Sequence, residues 1–306
     1  MNHSEIVTLL ISETEAASLM ALYEHERIEN PPAYVRFAAK HDGVTVLLYE
    51  KPHDGRYKAV FQGYGAGEEA KPWGVPLTPK KKPTSRSSAN LGAHLGSDEV
   101  GTGDFFGPVV VVATYMGAKQ MPLVKRYSIG DSKTMTDAFI REVGPELIKQ
   151  IPYSLLIVPN EKYNQLVVQG FNLNRIKAWL HQTALVNLKK RLKTHVPIII
   201  DQFCSPKMFA KHVIDHPEKL TNVIFETKAE SRYPAVGAAS MIARYAFLDY
   251  MDRLNQEYDV KFPFGASRLV DDFAKRFIEK KGREAFERVT KHNFRNYRDL
   301  SKTNLD

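Results

Sequence analysis

Asp98 and Glu99 stand side by side in "GSDEVGTGDFFGPVVVV", between the end of one apparent strand and a turn that holds Gly101, Gly103 and Gly107. Two further acids occupy comparable places. "VPIIIDQF" is a short apolar strand that stops abruptly at Asp201, and "NVIFETKAES" runs from another strand through Glu226 to Glu230. Taken singly, each has a bland explanation. An acidic pair before glycines is more often a turn than a site. Asp201 could cap the helix of "SPKMFAKHV", although Ser205 suits that role better, and a Glu before a helix is often only a dipole partner. Together the acids point further, because several carboxylates at strand ends repel one another unless a cation neutralises them. Hard oxygen ligands select Mg²⁺ or Mn²⁺. A carboxylate cluster holding two such ions is the apparatus of phosphodiester cleavage.

The glycines do not form a nucleotide loop. Their spacing is G-x-G-x-x-x-G, followed by Pro108 and a valine strand instead of a helix N-terminus, and no G-x-x-x-x-G-K-[ST] occurs. They suit a different use, letting backbone amides approach a sugar-phosphate chain with no side chain in the way. Neighbours on a regular strand point to opposite faces. Gly101 and Gly103 are therefore expected to turn the chain sharply enough to gather Asp98 and Glu99 around one site.

The elements that must hold these residues alternate along the second part of the chain. "PVVVVATY", "YSLLIV", "VPIIID" and "NVIFETK" read as strands, and "TDAFIREVGPELIKQ" and "LNRIKAWLHQTALVNLKKRL" as helices, the first capped by Thr136. Asn160 is expected to cap a short helix that Gly170 closes. This order predicts an α/β fold, a mixed sheet with helices on both faces. Ligands of such sheets collect outside the carboxyl ends of the strands, where Asp201 lies. The helix of "PAVGAASMIAR" is rich in small residues, so it can pack tightly and fix whatever precedes it.

Residues 1–70 have a different pattern. "IVTLLIS" is a strand, "ETEAASLMALYEH" a helix capped by Ser12, and "AYVRFAAK", "VTVLLYEK" and "YKAVFQGY" alternate as antiparallel strands. One helix covers only one face of such a sheet. The other face is expected to carry Arg36, Tyr57 and Lys58 and to be free to bind. Residues 71–90, "KPWGVPLTPKKKPTSRSSAN", contain four prolines and no acid, and read as a basic linker to a catalytic domain over 91–306.

With 306 residues, 43% of them hydrophobic, the chain can build two cores. A net charge of +8 suits a polyanionic partner, nucleic acid above all. One cysteine, Cys204, leaves no intrachain disulfide or Cys-rich metal site and fits a reducing cytosol. "IVTLLIS" is too short, and too soon followed by Glu13 and Glu15, to be a signal peptide, and no run of residues is apolar enough to span a bilayer. A cytoplasmic monomer with no membrane partner is expected.

At these residues the chain closely resembles the ribonuclease HIII branch of the bacterial type 2 ribonuclease H family. "GSDEVGTGDFFGPVVV", "GDSKTM", "FNLNRIKAWLH", "IIIDQF", "TKAESRYPAVGAASMIAR", "FPFGAS" and "KHNFRN" follow one another in the family's order. The resemblance implies a ribonuclease-H-like catalytic fold, preceded by a small α+β domain resembling half of the TATA-binding-protein fold. It implies an endonuclease that hydrolyses the RNA strand of RNA–DNA hybrids with two Mg²⁺ or Mn²⁺ ions, leaving 5′-phosphate and 3′-hydroxyl ends. The family's catalytic and metal-binding acids fall on Asp98, Glu99, Asp201 and Glu230. Substrate contacts are implied for Gly101, Thr102, Gly103, Ser132 and Lys133. The sister ribonuclease HII has Asp in a Lys-Gly-Asp context where "KAE" supplies Glu230, and Gly-Arg-Gly where this chain has Gly101-Thr102-Gly103. Loss of that arginine speaks against efficient incision at a single ribonucleotide embedded in DNA. Two rivals are a junction ribonuclease of the HII type and a non-catalytic nucleic-acid binder. A pure binder would gain nothing from four negative charges beside phosphates.

Overall fold

The Ser12 hydroxyl accepts from the Glu15 backbone N–H at 3.2 Å, and the Glu15 carboxylate accepts the Ser12 N–H at 2.7 Å. This reciprocal cap starts α1 (Glu13–Leu22) directly after β1 (Glu5–Ile11). The structure, a computed structural model, describes residues 5–32, 34–50, 52, 55–74, 92–131 and 135–302, with the side chains of 301 and 302 left aside. The chain divides into two units, Met1–Arg86 and Ser87–Asp306.

In the first unit β2 (Val35–His41), β3 (Val44–Tyr49) and β4 (Tyr57–Gly63) complete an antiparallel sheet in the order β1-β4-β3-β2. Leu9, Ile11, Phe37, Val46, Leu48 and Phe61 close a core with Ala16 and Leu19 of α1. A further helix, α2 (Ala66–Ala70), leads into a 3₁₀ turn over Lys71–Trp73. Trp73 packs on the same core, 6.4 Å from the Tyr23 ring. Residues 71–73 thus belong to the folded unit and not to the expected linker, because an indole at that place has a core to cover. The basic stretch from 75 to 90 lies outside the described residues.

The expected composition of the open sheet face also needs correcting. A bulge between Val35 and Phe37 shifts the β2 register, since Val35 pairs with Tyr49 while Phe37 pairs with Leu48. Arg36 is thereby carried to the helix side, where its guanidinium binds Glu13 of α1 at 2.8 Å and lies over the Tyr57 ring. Tyr57 itself packs against the core under α1. Of the three residues expected on the open face, Lys58 is the one that remains, its ammonium 4.8 Å from the Tyr49 ring. Tyr34 stacks on Tyr49 beside it.

The second unit contains β5 (His94–Val100), β6 (Val109–Met116), α3 (Met121–Arg126), α4 (Asp137–Gln150), β7 (Tyr153–Val158), α5 (Asn160–Val168), α6 (Leu173–Leu192), β8 (Ile198–Asp201), α7 (Pro206–His212), β9 (Val223–Glu226), α8 (Pro234–Tyr258), α9 (Arg268–Lys281), α10 (Arg283–Val289) and α11 (Arg295–Lys302). Thr136, Asn172 and Ser205 each accept a backbone N–H at a helix start. Asn160 does not cap, for Pro159 precedes the helix and Asn160 opens its first turn.

The sheet order is β7-β6-β5-β8-β9, antiparallel from β7 to β5 and parallel from β5 to β9. Strand alternation sends Val110 and Val112 into one core, with Ala235, Ala239 and Phe247 of α8, and Val109 and Val111 into another, with Ile176 and Leu185 of α6. The small residues of α8 serve close approach. A side chain on Gly96 of β5 would meet the Val236 backbone nitrogen at 2.5 Å, and Thr114 of β6 donates to the Ala235 carbonyl at 2.6 Å. The start of α8 is thereby fixed against the middle of the sheet. Among the described residues no helix is long and apolar enough to cross a membrane.

Candidate active site

Parallel pairing of β5 with β8 runs to Ser97 and Ile200, and the next residues are Asp98, two short of the end of β5, and Asp201, the last of β8. Both lie on the α8 face. Asp98 pairs across β6 with Val112 and is hydrogen-bonded to Ser240 of α8, while one Asp201 oxygen accepts the Ala229 N–H at 2.8 Å. That bond ties β8 to the 3₁₀ turn Ala229–Ser231, which carries Glu230. The turn is seated from below by two glycines. Side chains on Gly130 and Gly237 would lie 2.7 and 2.8 Å from the Glu230 carbonyl oxygen. The "GDSK" segment therefore starts against the Glu230 turn, although Ser132 and Lys133 lie outside the described residues. Glu226, next to Asp201 across the β8–β9 pair, is neutralised by Arg232 at 2.5 Å.

Glu99 leaves the strand on the other face. Pairing with β6 continues regularly through Val100, so the expected sharp turn comes after both acids and the pleat keeps them apart. The Glu99 carboxylate is held by two residues of α6. Lys177 Nζ lies 2.5 Å from Oε1, and His181 donates its Nε2–H to Oε2 at 2.9 Å. Ser97 meets the other ring nitrogen of His181 at 2.7 Å. Phe203 stacks on His181, with its ring centroid 4.1 Å from the Lys177 ammonium. Burial alone would raise the Glu99 carboxyl, but the His181 hydrogen bond and charge, and then Lys177, bring it down to about 2. Lys177 and His181 were not singled out as site residues from sequence. Their one signal is an i, i+4 pair of basic residues on the buried stripe of α6, beside Ile176 and Leu185.

Asp98 is in the opposite condition. Burial, then the charges of Glu99 and Asp201, push its carboxyl well above the usual range, against the hydrogen bonds from Ser240 and the Glu99 N–H. Among the described residues no group of three or more acids, histidines or cysteines is drawn together closely enough to cage a metal ion. The donors nevertheless fit one. Asp98, Asp201 and Glu230 offer only carboxylate oxygen, the choice of hard divalent cations, and a desolvated Asp98 beside a second acid has no compensating positive charge among the described residues.

The loop after β5 is rigidly held. Gly101 has φ +89°, and a side chain there would strike the Pro108 carbonyl at 2.1 Å, so this glycine serves the turn itself. Gly103 is exposed and its Cα faces open space, whereas Thr102 is half-buried. The loop is clamped from the C-terminal side. Lys291, fully buried, donates to the carbonyls of Asp104 at 2.7 Å and Gly107 at 2.5 Å. Phe105 takes a backbone bond from Lys291 and gives one to Gly265. Burial pulls the Lys291 ammonium down to about 7, against a smaller upward pull from Asp104.

That value has a measurable consequence. Lys291 is more acidic folded than unfolded, so between about 7 and about 10 the unfolded chain binds more protons, and stability rises with pH across that interval. The displacement corresponds to at most about 5 kcal/mol. Urea denaturation is expected to show a higher midpoint at pH 9 than at pH 7, and Lys291→Met should lose this rise. Parallel pH profiles for the two proteins would contradict the assignment.

Residues 95–297 match the Ribonuclease HII family, and residues 6–86 match a family described as Domain of unknown function (DUF3378). Ribonuclease HIII of Bacillus velezensis is 38% identical over 97% of this chain and 96% of its own length. Ribonuclease HIII of Listeria monocytogenes is 40% identical over 87% of this chain and 88% of its own length. A crystal structure of Bst-RNase HIII in complex with Mn²⁺ superposes with a TM-score of 0.68 at 30% identity, covering 98% of this chain and 99% of that one. With β5, β8 and the turn after β9 presenting acids at one end of the sheet, and with similarity running nearly end to end, the chain belongs to the ribonuclease HII family and, within it, to the ribonuclease HIII enzymes.

Proposed function

We propose that this chain is an endonuclease that hydrolyses the RNA strand of RNA–DNA hybrids, with Asp98, Glu99, Asp201 and Glu230 as its catalytic and metal-binding acids. The reading is carried by Asp98 and Asp201, which lie on adjacent strands and on one face with no positive partner among the described residues. When bound there, two Mg²⁺ or Mn²⁺ ions would activate a water for attack on phosphorus and stabilise the departing 3′ oxygen, leaving 5′-phosphate and 3′-hydroxyl ends. The protein supplies the frame. Ser240 and the Ala229 N–H orient the two aspartates, and the glycine seat under Glu230 holds the third acid at the same end of the sheet. The backbone of Gly101–Gly103 is assigned to sensing the 2′-OH, which separates RNA from DNA at a given site. Gly103 leaves room for that approach, and Lys291 keeps the loop in place. Ser132 and Lys133 are assigned to a substrate phosphate, and residues 1–70 to holding the hybrid. The chain is assigned to the cytoplasm as a monomer.

An end-labelled hybrid, an all-DNA duplex and a duplex with a single embedded ribonucleotide test this reading. With Mg²⁺ or Mn²⁺ the hybrid should be cut internally to 3′-hydroxyl fragments, the DNA left whole and the single ribonucleotide cut poorly. Cleavage of all-DNA duplex, 2′,3′-cyclic phosphate ends, or cutting unaffected by EDTA would each refute it.

A further inference from the structure

The Lys177–Glu99 pair is unusual for an acid assigned to a metal. Each carboxylate oxygen already has a donor from α6, one of them a full positive charge, and the side chains of Lys177 and Glu99 are only 10% and 12% exposed. The pair is built in. The Lys177 ammonium faces the Phe203 ring, and His181 is fully buried and held between Ser97 and Glu99. Asp98, one residue away on the opposite face, has no such cation among the described residues. The two acids therefore differ in what a divalent ion must do to reach them. At Asp98 it supplies a missing charge, whereas at Glu99 it must displace one already there.

We propose that Lys177 is a resident counter-ion of Glu99 that competes with divalent metal for its carboxylate, so that the two metal positions fill unequally. The ion that Asp98 and Asp201 would hold loads first. The ion that needs Glu99 loads only as Lys177 gives way, which an arriving substrate phosphate would favour by offering the ammonium another anion. His181 is a positioning residue, keeping Glu99 aimed while Lys177 leaves. This rests on the reading of Glu99 as a metal ligand.

The test is calorimetric titration of Mn²⁺ into full-length protein without nucleic acid. Lys177→Met should bind the weaker ion roughly tenfold more tightly than wild type, because the competing charge is gone. Lys177→Arg, which keeps the charge, should not. Adding Glu99→Gln to Lys177→Met should abolish the gain. Unchanged or weaker Mn²⁺ binding in Lys177→Met, while Glu99→Gln alone weakens binding, overturns the counter-ion role but leaves Glu99 a ligand. A Glu99→Gln variant that binds Mn²⁺ like wild type overturns the ligand reading and this inference with it. Should Lys177→Met not fold, the wild type decides. The ¹³Cε resonance of Lys177 in lysine-labelled protein must shift on saturation with Mg²⁺ plus a short non-cleavable hybrid, and a resonance that stays put overturns the proposal.

Discussion

Replacing Asp98 by asparagine is expected to abolish cleavage of an RNA–DNA hybrid while leaving hybrid binding intact or tighter. The substitution keeps the shape of the side chain and its place beside Ser240 but removes the charge assigned to holding a divalent cation. A metal ion contributes several kcal/mol of transition-state stabilisation, and each 1.36 kcal/mol is tenfold in rate, so a loss of about 10³-fold or more is expected. Binding should not suffer, because a negative charge disappears from beside the phosphates. The same reasoning holds for Asp201→Asn, whose partner is the Ala229 N–H. The Asp98 variant carries a second signature. Burial and two neighbouring acids disfavour its ionised form, so metal-free Asp98→Asn should melt above wild type. Stability at neutral pH is thus expected to rise as activity falls, the mark of a residue kept for chemistry. More than a few per cent of wild-type activity in saturating Mn²⁺, or a variant that melts lower without metal, would count against the assignment.

Removing the N-terminal unit should have the next largest effect, of a different kind. The four assigned acids all lie in the second unit, and the first offers a helix-covered face and an open one bearing Lys58, Tyr49 and Tyr34. A tethered second binding surface raises the local concentration of substrate, by about 10²–10⁴ in avidity where the geometry allows, and adds nothing to the transition state. Deleting the chain up to about Ser88 should therefore raise KM for long hybrids by roughly tenfold or more and change kcat comparatively little, the pattern of lost uniform binding. The isolated unit should bind hybrid weakly and cleave nothing. An unchanged KM would show that the unit has another purpose, and a fall in kcat alone would place it in the catalytic step.

The strand end at Asp201 and the small-residue helix behind Glu230 were legible because they rest on local signals. An apolar run that stops at an acid marks a strand end, and "PAVGAAS" marks a surface meant for close packing. What was not legible depends on partners distant in sequence. Lys177 and His181 lie about eighty residues from Glu99, and a basic pair on a long helix reads as ordinary until α6 is laid across β5. Strand geometry departs from expectation twice. At β5 the pleat runs on through Val100, so Asp98 and Glu99 diverge where the glycines seemed to gather them. At β2 one bulged residue moves Arg36 to the helix side, and sequence alternation cannot show a bulge that only the partner strand defines. Residues 71–73 read as linker for a similar reason, since Trp73 finds its core in Tyr23 and not in its neighbours.

Anomalous diffraction from crystals of the full chain grown with Mn²⁺ and a non-cleavable hybrid bears most directly on the acids. Two manganese peaks are expected roughly 3.5–4 Å apart, beyond the ends of β5 and β8, both within ligand distance of Asp98, with Glu99 turned away from Lys177 onto one of them. Manganese bound elsewhere on the protein, or at the strand ends without touching Asp98, would contradict the account.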